Sequence, residues 1–386
     1  MGDWECTVEG VGMNFWQNRR VLVTGHTGFK GGWLAVLLHM AGARVTGVGL
    51  APETDMSLFA AAGIGALVDS RIIDIRDFVS LEKVLAEARP EVVFHLAAQP
   101  LVRASYSDPL GTYGTNVMGT ANLLEAVRRV DSIRGVVVVT TDKCYENREW
   151  VWAYRETDRL GGFDPYSSSK ACAELLVAAF RNSFFSPDHY DRHGVALATA
   201  RAGNVIGGGD WSSDRLIPDI LRAFEQGRML QIRSPHAIRP WQHVLEPLRG
   251  YLLLGQSLVE RGIEDGEAWN FAPEASDAKT VEWIVCRLAK TLGVSWKLDA
   301  GDHPHEAATL KLDWSKAEQR LGWSPTLSLD KALHYTADWH CRFRAGEDAR
   351  KVTIEQAREF QRQAEGWALD SCGALSENLA MNRENG

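Results

Sequence analysis

Tyr166 and Lys170 stand four residues apart in Pro165-Tyr-Ser-Ser-Ser-Lys170, a spacing that puts both on one face of a helix. A cation beside a phenol favours the ionised phenol, so the pair suits removal of a proton from a ligand. Thr141, Asp142 and Lys143 end the run Gly135-Val-Val-Val-Val-Thr-Thr-Asp-Lys143 and offer a hydroxyl, a carboxylate and an amine in succession. Gly25, Gly28 and Gly31 follow the apolar run Val21-Leu-Val-Thr24 and precede an apolar-periodic segment. Glycine lets a phosphate approach the backbone closely, and the first N–H groups of a following helix point at the anion. The three glycines therefore read as a cradle for a dinucleotide pyrophosphate, although such spacings also arise in ordinary turns of a chain with 35 glycines.

Each group needs a rigid element behind it. Around the glycines the order is strand, tight turn, helix, and strands alternate with helices for the next ~150 residues. The pattern predicts further strands over residues 44–50, 71–75, 91–98, 135–143 and 195–204, and helices over 110–130 and from Pro165 onward. Residues 91–98 and 135–143 include the nearly unbroken apolar runs of buried parallel strands. Ligands of such a sheet lie beyond the carboxyl ends of its strands, which places Thr141, Asp142 and Lys143 at the chemistry. The expected fold is α/β, a Rossmann-like doubly wound parallel sheet over residues 15–206. A smaller, partly interleaved C-terminal substrate-binding region follows over 207–345. Residues 1–14 read as a flexible extension and 346–386 as a polar helix and tail.

Several side chains carry two readings. Asp74 either accepts from an adenine amino group or caps the third strand. Lys30 either meets the pyrophosphate or faces solvent, and His26 beside it is also unusual in such a turn. His95 reads as a core histidine, and Cys144 and Cys172 as small packing residues. At the end of the second strand, Leu50, Ala51 and Pro52 replace the carboxylate that usually holds an adenosine ribose, and no Arg is there for a 2′-phosphate.

Composition excludes other classes. With 45% hydrophobic and 24% charged residues the chain has a globular balance. A net charge of −8 without a long basic run argues against nucleic-acid and membrane partners. No apolar run approaches the ~18 residues of a membrane span. The opening MGDWECTVEGVG has no apolar core of a signal peptide. The six cysteines show neither C-x-x-C nor metal-ligand spacing, so we expect no metal and free thiols in a cytoplasmic protein.

The strings VTGHTGFKGGW, TTDKCYENREW, DPYSSSKACAEL, RAGNVIGGGDW and IRPWQHVLEPL, in that order, resemble the extended short-chain dehydrogenase/reductase family over roughly residues 15 to 340. Within it they are similar to the 4,6-dehydratases that act on CDP-glucose. The resemblance implies a lyase that uses bound NAD for transient oxidation, a nucleotide-sugar substrate (CDP-glucose), and a homodimer joined through helices of residues 113–130 and 166–185. It implies Tyr166 as the base at the sugar C4 hydroxyl, Thr141 orienting that hydroxyl, and Lys170 also holding the nicotinamide ribose. Asp142 matches the acid for the departing C6 hydroxyl. Related dehydratases carry Glu where this chain has Lys143, so the C5 base is either Lys143 or another group, with Lys143 then steadying charge. As acid, Asp142 must keep its proton above the ordinary carboxylate value of about 3.9; as base, Lys143 must lose one.

The implied cofactor contacts are Gly25, Thr27, Gly28, Phe29, Lys30, Gly31, Asp74, Ile75, Leu96, Ala97 and Ala98, besides Tyr166 and Lys170. The implied substrate contacts are Gln99, Asn204, Arg215 and Arg239, the arginines because a guanidinium pairs bidentately with phosphate. As lone residues, those arginines would read as surface ion pairs. A 4-epimerase, a decarboxylase or a dehydratase of another nucleotide sugar is the alternative on the same fold. An epimerase needs only the Thr, Tyr and Lys, so the extra Asp142 counts against it.

Overall fold

The computed structural model describes residues 13–52, 54, 56–299, 301 and 309–364. Most of the expected 1–14 extension, the tail from 365 onward, Cys6 and Cys372 lie outside these residues. The central sheet is parallel and seven-stranded. Six strands come from residues 20–202: β1 (Arg20–Thr24), β2 (Arg44–Gly49), β3 (Asp69–Ile72), β4 (Val92–His95), β5 (Gly135–Val139) and β6 (Ala196–Ala202). The seventh is Ala268–Phe271, and the order across the sheet is Ala268–Phe271, β6, β5, β4, β1, β2, β3. This is the doubly wound α/β arrangement expected from the alternating pattern.

Alternation of side chains builds the two apolar layers. In β1, Val21 and Val23 enter one core and Leu22 the other; in β5, Val137 and Val139 oppose Val136 and Val138. Helices Phe29–Met40 and Leu245–Glu260 cover the first face, and Phe78–Ala88 and Gly119–Val127 the second. β1 pairs with β2 on one side and β4 on the other, so the crossovers diverge there and open a crevice at the carboxyl ends.

A third core gathers Ile206, Ile217, Ile220, Trp241, Ile284 and Leu333 beneath helices Leu216–Glu225, Val281–Leu292 and Leu329–Arg344. The chain then returns to the main body: residues 349–364 are helical, and Val352, Ala357 and Phe360 are buried in the first core. The polar composition of that segment belongs to its outer face. Among the described residues no helix is long and apolar enough to cross a membrane.

Several boundaries differ from the sequence pattern, the strand expected over 91–98 being Val92–His95 and that over 195–204 Ala196–Ala202, and three of the differences have a clear local cause. The third strand is Asp69–Ile72 rather than 71–75. It is an edge strand paired only with β2, and it stops where β2 stops, Gly49 opposite Ile72. The fifth strand ends at Val139, because Thr140 makes one further bond to Ala200 and Thr141 then turns the chain by accepting from the Lys143 N–H. The helix expected over 110–130 starts at Pro109 under the Asp108 cap, widens into a π turn over Gly114–Met118 and ends at Val127.

Candidate active site

The glycine turn presses against the end of β4. Gly25 has φ +77°, and a Cβ there would lie 2.8 Å from the Ala97 nitrogen. A Cβ on Gly31 would lie 2.0 Å from the Gly25 oxygen, so the first helical turn packs directly on the strand end. Gly28 caps the helix Phe29–Met40 in an extended conformation without a side-chain bond, which leaves the first N–H groups facing the crevice. These features fit a dinucleotide pyrophosphate.

The unusual residues of the turn part company. His26 is buried, 2.7 Å from the Ser70 hydroxyl and edge-on to Phe59, and it fills the space over Gly47, where a Cβ would meet its ring at 2.4 Å. Lys30 instead lines the cleft, its Nζ 3.5 Å from the Tyr251 hydroxyl. Burial, and then the Arg215 charge, bring Lys30 down to about 7.

The cleft has a volume of about 1340 Å³ and runs along the carboxyl ends of the strands. Thr27, Phe29, Asp74, Ile75, Leu96, Ala97 and Ala98 line it with the glycines, and Thr141, Asp142, Lys143, Tyr166 and Lys170 line it further on. Asp74 is clasped by Arg76 at 2.6 Å, which holds its carboxyl below the usual range. His95 is a core histidine between Thr24 (2.7 Å) and Thr120 (3.0 Å), and burial lowers it to about 3. Cys144 is buried in a small apolar cluster with Tyr145 and Tyr154.

The helix Pro165–Ser183, capped by Asp164, carries the Tyr/Lys pair onto the end of β5. Tyr166 is hydrogen-bonded to Thr141, and Lys170 Nζ donates to the Val139 carbonyl at 3.2 Å. Burial raises Tyr166 to about 12, with the Thr141 bond and the Arg215 charge opposing. Burial lowers Lys170 to about 8, opposed foremost by Glu174. Asp142 is buried; it accepts from the Thr141 hydroxyl at 2.9 Å and pairs with Lys143 Nζ at 3.4 Å. Lys143 Nζ also lies 3.5 Å from Asn204 Oδ1. Lys30, Lys143, Lys170 and Arg215 thus crowd one cleft and repel one another, an arrangement that anionic ligands relieve.

Asn204, Arg215 and Arg239 line the opposite wall, with Arg215 held by Asp210 at 3.2 Å. Gln99 does not line the cleft. Its amide donates to Thr112 at 2.8 Å and its oxygen accepts from the Leu101 N–H at 2.6 Å, while Asn116 in the π turn binds its backbone. Gln99 here ties the loop after β4 to the next helix. Sequence reasoning missed Arg103 and Asp214, which join across the cleft at 3.0 Å. Nothing in their local pattern points to that pairing. It also passed over Glu174, which the i, i+4, i+8 spacing with Tyr166 and Lys170 does flag.

The chain is similar in sequence and fold to known proteins. Residues 22–336 match the family model described as GDP-mannose 4,6 dehydratase. The chain is 56% identical over 340 residues to the CDP-glucose 4,6-dehydratase of Salmonella typhimurium, covering 88% of this chain and 95% of that protein. It is 26% identical to a dTDP-glucose 4,6-dehydratase of Xanthomonas campestris, over 83% of this chain and 92% of the relative. Among solved structures, DesIV, the dTDP-glucose 4,6-dehydratase of Streptomyces venezuelae with NAD bound, has a TM-score of 0.72 at 25% identity, covering 86% of this chain and 99% of that one. A UDP-glucose 4-epimerase from Stenotrophomonas maltophila shares the fold, with a TM-score of 0.73 at 21% identity over 86% of this chain and all of that one.

Proposed function

The chain belongs to the GDP-mannose 4,6 dehydratase family, and from that premise we propose that it is an NAD-dependent lyase converting CDP-glucose to CDP-4-keto-6-deoxyglucose and water. The observation that carries the reading is the contact of a dehydrogenation pair with an elimination pair. Tyr166 touches Thr141, and Thr141 touches Asp142, which touches Lys143. An epimerase has work for the first pair only.

Bound NAD would supply the hydride acceptor at C4 and the hydride donor at C6. In this reading Gly25, Gly28, Gly31 and the residues around them hold its pyrophosphate, and Lys170 its nicotinamide ribose. Tyr166 takes the C4 hydroxyl proton while Thr141 orients that hydroxyl. The C4 ketone makes the C5 hydrogen acidic; Lys143 takes it, and Asp142 gives a proton to the C6 hydroxyl, which leaves as water. Moving one proton from Lys143 to Asp142 across their 3.4 Å contact gives both groups the forms this step needs. A proton returning to C5 completes a reaction without net redox change. Asn204, Arg215 and Arg239 would hold the nucleotide diphosphate.

Turnover is therefore expected to require NAD yet to accumulate no NADH. The test is incubation with CDP-, dTDP-, UDP- and GDP-glucose, scoring 4-keto sugar by absorbance and NADH by fluorescence. Conversion of CDP-glucose alone supports the reading. Stoichiometric NADH points to a dehydrogenase, and a C4 epimer to an epimerase.

The reading includes a homodimer. Leu110 and Met118 are 84% and 58% exposed on the helical segment Pro109–Met118 beside the Tyr/Lys helix, and Leu175 is 59% exposed on the Tyr/Lys helix itself. Large exposed apolar side chains clustered on adjacent helices suit an isologous four-helix contact. Sedimentation at micromolar concentration is expected to give a dimer, and Leu175→Glu to shift it toward monomer. It also includes the cytoplasm, since the described cysteines 144, 172, 286 and 341 are free thiols suited to a reducing compartment.

A further inference from the structure

Three side chains on successive turns of the helix Pro165–Ser183 reach three consecutive residues at the end of β5. Tyr166 meets Thr141, Lys170 meets the Val139 carbonyl, and Glu174 accepts from the Thr140 hydroxyl. The reaction described above uses the first two and leaves Glu174 without a role. The residue is 4% exposed, and each of its carboxylate oxygens accepts two hydrogen bonds. Thr199 donates at 2.8 Å, Arg201 Nε at 2.9 Å and Arg201 Nη2 at 2.7 Å. Arg201 in turn donates to the Tyr145 hydroxyl at 2.7 Å and the Glu156 carbonyl at 3.1 Å, and Tyr145 donates to Asn270 at 2.8 Å. A buried ion pair gives little net stability over well-packed apolar residues. Its geometry is the better account of it: one carboxylate joins β5, β6 and the catalytic helix directly behind the reacting groups.

We propose that Glu174 is a positioning residue: it clamps Thr140 to the helix, fixing the backbone that presents Thr141 and Asp142, and it stands one turn beyond Lys170 on the same helix as that ammonium's neighbouring carboxylate. The second role rests on the reading that Lys170 holds the cofactor ribose. The groups facing Lys170 are Glu174 on its own helix, the Cys144 thiol after β5, His95 on β4 and Lys30 across the cleft. Of these, His95 and the Cys144 thiol are neutral and Lys30 is repulsive, so Glu174, itself paired with Arg201, is the carboxylate of the set.

Two variants separate the roles. Thr140→Val deletes one hydrogen bond and no charge. It is expected to lower kcat about tenfold or more, as a small misplacement of reacting groups does, with KM within about twofold. Thr140→Ser should restore kcat. Glu174→Gln combined with Arg201→Met removes the carboxylate without stranding a buried cation. There the pH at which NAD affinity falls, measured by calorimetry on the free protein, should move down by about half a unit or more. Wild-type kcat in folded Thr140→Val overturns the clamp. An unmoved affinity profile in the double variant overturns the role beside Lys170, and should that variant fail to fold, Thr140→Val decides the proposal. Kinetic ratios are read with whichever nucleotide sugar the wild type converts, and the calorimetry needs no sugar. Failure of the CDP-glucose reading is thereby distinguished from failure of this one.

Discussion

Tyr166→Phe is expected to lose about 10²–10⁴ in kcat, the range for removal of a general base, while binding of the nucleotide sugar stays nearly unchanged. The ring is buried against the cleft wall, so phenylalanine keeps its packing and forfeits only the hydroxyl. The protein's own groups hold the phenol at about 12, burial foremost. Its ionised fraction is therefore small at neutral pH and grows with pH. The wild-type rate should climb with pH on its acid side and then fall as Lys170, near 8, loses its charge. A cationic nicotinamide ring beside the phenol moves the ascending limb to lower pH. In Tyr166→Phe that limb should vanish. Near-normal turnover in the variant, measured with saturating NAD, removes Tyr166 from the base role.

The second large effect belongs to Asp142 and Lys143, and it is a different loss. Both lie past the oxidation step, so Asp142→Asn and Lys143→Met are expected to keep C4 oxidation and to lose dehydration by about 10²–10⁴. Asp142→Asn cannot protonate the C6 hydroxyl and should trap enzyme-bound NADH, visible by its absorbance on mixing. Lys143→Met should also accumulate NADH, and in deuterated solvent it should fail to exchange the C5 hydrogen. The geometry makes the two variants informative as a pair. Lys143 Nζ has Asp142 at 3.4 Å and Asn204 at 3.5 Å, so the lysine has a carboxylate partner to give its proton to and an amide to steady it. Normal C5 exchange in Lys143→Met assigns the base to another group and leaves Lys143 an electrostatic role toward the enolate. Wild-type dehydration in Asp142→Asn removes the acid assignment altogether.

What the amino-acid order determined by itself is local. The strand–turn–helix around Gly25, Gly28 and Gly31 was legible because a left-handed φ and a missing Cβ are demands that only glycine meets cheaply. Tyr166 and Lys170 were legible because a helix puts residues four apart on one face, and Thr141 to Lys143 because a parallel sheet exposes its carboxyl ends. The tertiary structure decided what depends on which elements cross. β3 ends where its one neighbour ends, and the turn of Gln99 toward Thr112 rather than the cleft follows from the helix that passes beneath it. Lys30 finds Tyr251 from 221 positions away, and Arg103 finds Asp214 from 111. The sequence pattern predicts amphipathic faces and backbone conformations but carries no distance between remote segments. Burial, which sets the proton affinities of Tyr166, Lys170 and Lys30, exists only once those segments have closed over the cleft.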